Sequence, residues 1–167
     1  KKHADTILDL VGSPTPNVAV WAFEKAIAMH ERGLVKDASR VASAVSPLLM
    51  AKQKGTVQKT LKFLGRLVEN SPESAGEICV LAADAMGHEK VDVQKSAFKL
   101  ISKHATASDP QVQGAVRKYL PLVAASFRKQ LTGWLESADG VATGMPAKKK
   151  SPGESASFDR SRLKKYP

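Results

Sequence analysis

The sequence predicts an all-α protein built from short helical hairpins, and three observations carry that reading. Ala, Leu and Val dominate the apolar residues while aromatics are only 5% of the chain, which favours closely packed helices over a β-sandwich. Apolar residues recur at helical spacing between Pro, Gly, Ser and Asp punctuation, with no strand-period alternation of useful length. The stretch VQKTLKFLGRL from Val57 is echoed thirty-six residues later by VQKSAFKLISK from Val93, and more weakly by VQGAVRKYL from Val112. Two helices and two loops fill that interval, which is the size of one solenoid repeat.

Ile7, Leu8 and Val11 share a helical face until GSPTP stops the first segment. Asn17 is placed to cap the second, whose apolar face is Val18, Trp21, Ala22, Ile27 and Ala28 and whose stop is Gly33. A third segment runs from about Val35 to Lys52, turning Val41, Ala42, Val45, Leu48 and Leu49 inward. Pro47 predicts a break at Ser46. The fourth runs from about Thr56 to Glu69. Ser71, followed by Pro72, is placed to cap a fifth that carries Ile78, Cys79, Leu81, Ala82 and Ala85 as far as Gly87. Asp92 is placed to cap a sixth, Val93 to His104. Asp109-Pro110 opens a further helix that is expected to continue to Leu135 with a bend at Pro121. Short loops force neighbouring helices antiparallel, so the natural units are hairpins over residues 1–32, 35–69, 74–104 and 109–136.

Composition changes after Glu136. Residues 1–136 are expected to form the helical domain and 137–167 a basic Gly/Ser/Pro/Lys-rich tail or linker, too poor in apolar residues to offset its own ordering entropy. The formal net charge is +10, and half of it falls between Pro146 and Pro167. Lys148, Lys149, Lys150, Arg160, Arg162, Lys164 and Lys165 are therefore candidate contacts to nucleic acid or to another acidic partner.

Several classes are disfavoured. A single cysteine, Cys79, excludes an intramolecular disulfide, and in its apolar run it reads as a buried, inert thiol suited to a reducing cytoplasm. No apolar run reaches the roughly 18–20 residues of a membrane span, and the amino-terminal stretch lacks a signal-peptide pattern. His3, His30, His88 and His104 share no zinc-ligand spacing, so neither metal nor cofactor is expected. The chain has no G-x-S-x-G, Walker or G-x-G-x-x-G motif, and an enzyme is not expected. It begins in mid-pattern without Met, as a piece of a larger polypeptide would.

DVQKSAFKLI (Asp92–Ile101), TVQKTLKFL (Thr56–Leu64) and, loosely, NVAVWAFEKAI (Asn17–Ile27) resemble the second helices of HEAT-like repeats, which often begin D-V-R/Q and continue with Ala and Leu. The whole run also resembles a bacterial HEAT-like family of unknown function. The resemblance implies a right-handed α-solenoid of about four hairpins, acting as a scaffold or adaptor that grips a partner along its second helices. HEAT-like repeats also occur in DNA glycosylases that use a Trp-lined cleft and a catalytic Asp. Here Trp21 and Trp134 lie at opposite ends, and Asp84, the one carboxylate inside an apolar helix, is expected to face a groove or pair with a cation.

On a helical wheel Val93, Ala97, Leu100, Ile101 and His104 fall within one arc of about 100°, with Lys95, Lys99 and Lys103 opposite. In the earlier copy Val57, Leu61, Leu64 and Val68 form the arc, with Lys59, Lys62 and Arg66 opposite. Stacking should merge these six cations into one ridge. Phe63 and Phe98 fall off the inward arcs, so the wheel predicts exposed apolar anchors, Phe98 among the lysines. The expected partner is an acidic protein or peptide. The alternative is nucleic acid, in a repair-related protein using the same ridge and the tail.

Overall fold

The computed structural model describes the backbone of residues 2–139 and the side chains of residues 3–137. The described residues are helical throughout their ordered elements, without a strand. The helices are α1 (Lys2–Leu10), α2 (Pro16–Glu31), α3 (Ala38–Val45), α4 (Lys54–Asn70), α5 (Ala75–Ala82), α6 (Val91–His104), α7 (Pro110–Tyr119) and α8 (Ala125–Asp139). The predicted tail contacts, Lys148 to Lys150, Arg160, Arg162, Lys164 and Lys165, lie outside the described residues.

Local chemistry sets most boundaries. Asp37 and Asp109 each cap an odd-numbered helix. Asp37 accepts from the Arg40 N–H at 3.0 Å, and Asp109 from the N–H groups of Gln111 and Val112 at 2.9 and 3.4 Å. Gly33 ends α2 at φ +69°, while Leu34 N–H donates to Met29 O and Gly33 N–H to His30 O, both at 2.9 Å. This is a Schellman stop, which needs a left-handed residue at that place. Pro47 breaks the third segment as expected: α3 ends at Val45 and a 3₁₀ turn, Ser46–Met50, follows.

Other boundaries differ from expectation. Thr15, rather than Asn17, precedes α2, with Pro16 in its first turn. The fourth helix begins at Lys54 after Gln53, so Thr56 lies inside it. Ser71 precedes a 3₁₀ turn without a side-chain cap, and the α-helix proper starts only at Ala75. Asp92 lies inside the first turn of α6, which begins at Val91. The helix expected from Pro110 to Leu135 with a bend is two helices. Pro121 supplies no N–H, and the chain turns from Leu120 to Ala124. Buried Gln94 holds that turn: it donates to the carbonyls of His88 (2.8 Å) and Leu122 (3.4 Å) and accepts from the Ala124 N–H (3.1 Å).

Packing follows parity. α1 touches α3, α3 touches α5 and α5 touches α7, while α4 touches α6 and α6 touches α8. Within three of the hairpins, α1 meets α2, α3 meets α4 and α5 meets α6. One continuous buried cluster runs between the rows, from Leu8 in α1 to Leu135 in α8. The structural register is one residue longer than the sequence echo. The 3₁₀ turns begin at Ser46 and Ala83, and α4 and α6 begin at Lys54 and Val91, each pair 37 residues apart. Lys62 is thus equivalent to Lys99, and Arg66 to Lys103.

The rows also correct the exposure expected of the two phenylalanines. Phe63 is 2% exposed and Phe98 6%. Phe63 meets Phe23 of α2 edge-on at 5.8 Å, and Phe98 meets Phe127 and Trp134 of α8 edge-on at 5.4 and 5.6 Å. A helical wheel assumes one buried face. A helix inside a row has neighbours on its flanks as well, so an apolar residue off the main arc is covered by the next helix.

Candidate functional site

The even-numbered helices place the predicted cations on one face. Lys59, Lys62, Arg66, Lys95, Lys99 and Lys103 are all exposed. They are not electrostatically alike. Arg66 reaches Glu31 of α2 at 2.9 Å, and Lys103 reaches Glu69 of α4 at 2.7 Å. These are equivalent bridges in successive hairpins, each tying the carboxyl end of one even helix to the helix before it. At the opposite end of the same face, Lys54 of α4 meets Asp92 of α6 at 2.7 Å. The bridging amines hold Glu69 and Asp92 below the ordinary carboxylate range, first by hydrogen bonding and then by charge.

Between these brackets four lysines remain. Lys59, Lys62, Lys95 and Lys99 have no carboxylate oxygen within 4 Å among the described residues. The charge of Lys95 contributes to the lowered Asp92 pKa, so Asp92 partly offsets it, whereas Lys62 and Lys99 stand as posts between adjacent grooves.

Three grooves follow one another across this face. The α2–α4 groove, about 540 Å³, has Val20, Phe23 and Ile27 on one wall and Lys59, Lys62 and Arg66 on the other. The α4–α6 groove, about 560 Å³, is floored by Leu61, Gly65 and Leu100 and edged by Lys62 and Lys99. The α6–α8 groove, about 320 Å³, is bounded by Lys95 and Lys99 and lined at its base by the buried Phe98 and Phe127. Phe98 is therefore part of a groove wall and not a projecting anchor. Each groove joins apolar floor to cationic rim. Such a surface can accept carboxylates or phosphates at its edge and aliphatic groups at its base.

The remaining singled-out residues take structural places. Among the described residues Asp84 pairs with no cation: it accepts a 2.6 Å hydrogen bond from the Tyr119 hydroxyl, joining the turn after α5 to α7. Burial, followed by that bond, raises the Tyr119 pKa. Cys79 is fully buried in α5, and desolvation pushes its thiol up to about 11. His104 is half-buried at the carboxyl end of α6, lining the α4–α6 groove. Trp134 packs against Phe98, whereas Trp21 is 48% exposed with the Lys25 amine 5.9 Å from its ring centre.

The glutamates that close parts of the ridge escaped sequence reasoning. Glu31–Arg66 and Glu69–Lys103 span 35 and 34 residues, close to the repeat length, and that near-periodic opposite charge was their only signal. Among the described residues no group of three or more His, Cys, Asp or Glu converges as a metal site, and no helix is long and apolar enough to cross a membrane. No protein-family model, curated protein or solved structure matches this chain.

Proposed function

We propose that the chain is a right-handed HEAT-like α-solenoid serving as a non-enzymatic interaction module, a scaffold or adaptor that holds an acidic protein segment along the α4–α6 face. The order of contacts within each row, and the 37-residue spacing of turns and helix starts, support the repeat reading. One observation carries the functional reading. Lys59, Lys62, Lys95 and Lys99 lie exposed on two adjacent helices without a carboxylate within 4 Å among the described residues, beside grooves with apolar floors. A merely solvated face gains from mixing signs, and this chain does so at both ends of the same face.

Nucleic acid is the weaker fit for this face. A phosphate backbone favours a continuous cationic track, whereas Glu24, Glu31 and Glu69 interrupt this one. The local patch suits a short acidic stretch of polypeptide. Fluorescence anisotropy with a labelled oligoglutamate peptide and with duplex DNA, each across a salt series, separates the readings. Peptide binding that weakens with salt and exceeds DNA binding is expected. Preference for the duplex, with a steep salt slope, would transfer the face to nucleic acid, and binding of neither would sink both readings.

A further inference from the structure

Gly65 sits in the interior of α4, where glycine is a poor helix former. Nothing in the fold requires it there. Among the described residues a β-carbon at this position would meet only the Leu100 Cδ1 atom, at 3.8 Å, an ordinary van der Waals contact. Its backbone is helical without a positive φ, since Gly33 alone has one among the described residues. The position is half-buried on the floor of the α4–α6 groove. Lys62 and Lys99, equivalent posts without a carboxylate within 4 Å among the described residues, stand at the two edges of that groove, and the Lys103–Glu69 bridge lies at one end of it. A methyl group at Gly65 would improve the helix and would stand in the groove beside Leu100.

We infer that Gly65 keeps this groove open as the seat of the partner's main chain, so that an extended acidic segment lies on Gly65 and Leu100 with carboxylates directed to Lys62 and Lys99. The inference rests on the reading of this face as a site for acidic segments and adds where, and in what form, the segment lies. Gly65 is a specificity-determining residue in this account because it admits a backbone that any larger residue would lift away from the lysines. A single added carbon at a close contact is enough to cost about tenfold in affinity.

The test uses the full chain, a labelled oligoglutamate peptide, thermal unfolding and three variants: Gly65→Ala, Gly114→Ala and the double variant Lys62→Glu/Lys99→Glu. Gly114 is an exposed helical glycine on α7, and a β-carbon there meets nothing within 4 Å. Both alanine variants are expected to raise the unfolding midpoint, while only Gly65→Ala weakens peptide binding, by about tenfold. Unchanged binding by Gly65→Ala, alongside loss in the double lysine variant, would overturn the seat and leave the basic face standing. A lowered midpoint for Gly65→Ala, or equal loss of binding in both alanine variants, would also overturn it. Absence of peptide binding by the unaltered chain at low salt would remove the basic-face reading and the seat together.

Discussion

The two rows of helices solve different problems with the same chain. The odd row is short: α3 and α5 have 8 residues each and α7 has 10. α3 and α5 run into 3₁₀ turns, and α5 turns Ile78, Cys79 and Ala82 fully inward. Polar links in this row are of mixed kind: Ser39 meets Ser74 at 3.1 Å, the Tyr119 hydroxyl donates to Asp84 at 2.6 Å, and Arg40 of α3 pairs with Asp5 of α1 at 2.7 Å. The even row is longer: α2, α4, α6 and α8 have 16, 17, 14 and 15 residues. It joins its members by aromatic contacts beneath and exposed ion pairs above. The even row thus combines buried aromatic packing with an outer surface of exposed charge.

That division can be broken at graded points. The largest effect belongs to the aromatic seam. Phe98→Ala removes the ring packed between Phe127 and Trp134 and should destabilise by about 3–5 kcal/mol, read from chemical denaturation. A loss under about 1 kcal/mol would mean that α8 does not cover α6 as described.

Next is the alkaline limb of stability. Burial raises the Cys79 thiol from 9.0 to about 11 and raises Tyr119 above 10.0, so both groups hold their protons more tightly in the folded state. Their contribution is complete below the unfolded values and is lost as pH rises through the folded ones. Stability should therefore fall between about pH 9 and 11, by an amount on the order of 2 kcal/mol for the thiol, and Cys79→Ala should flatten that limb. An identical alkaline slope in the variant would contradict the assignment.

Smaller still is the cap. Asp109→Ala should cost about 1 kcal/mol by orphaning the first N–H groups of α7. Smallest is the surface bridge. Lys103→Ala should change stability by less than about 1 kcal/mol, because both partners are more than half exposed. A Lys103 effect larger than the Asp109 effect would reverse the contrast between the rows.

What was legible in the sequence follows the range of the forces involved. The break at Pro47, the stop at Gly33 and the cap at Asp109 depend on residues next to one another, and each is where local chemistry puts it. Phe63 and Phe98 were misplaced because their cover comes from other helices, α2 and α8, which a wheel drawn on one helix does not contain. The ridge of six cations was legible as exposed residues. Its division into two bridged and four open cations was not, since Glu31 and Glu69 reach it only once the 37-residue register sets one helix beside the next. The grooves belong to the same class, because their floors are composed by two helices at a time.

The open lysines of the even row are proposed as the binding face, and the odd row is not. Charge reversal of Lys59, Lys62, Lys95 and Lys99 to Glu, set against reversal of Arg117 and Lys118 on α7, tests it directly in low-salt titrations with oligoglutamate. Loss of binding is expected in the first variant with a nearly unchanged unfolding midpoint, and retained binding in the second. Equal binding by the two variants would contradict it.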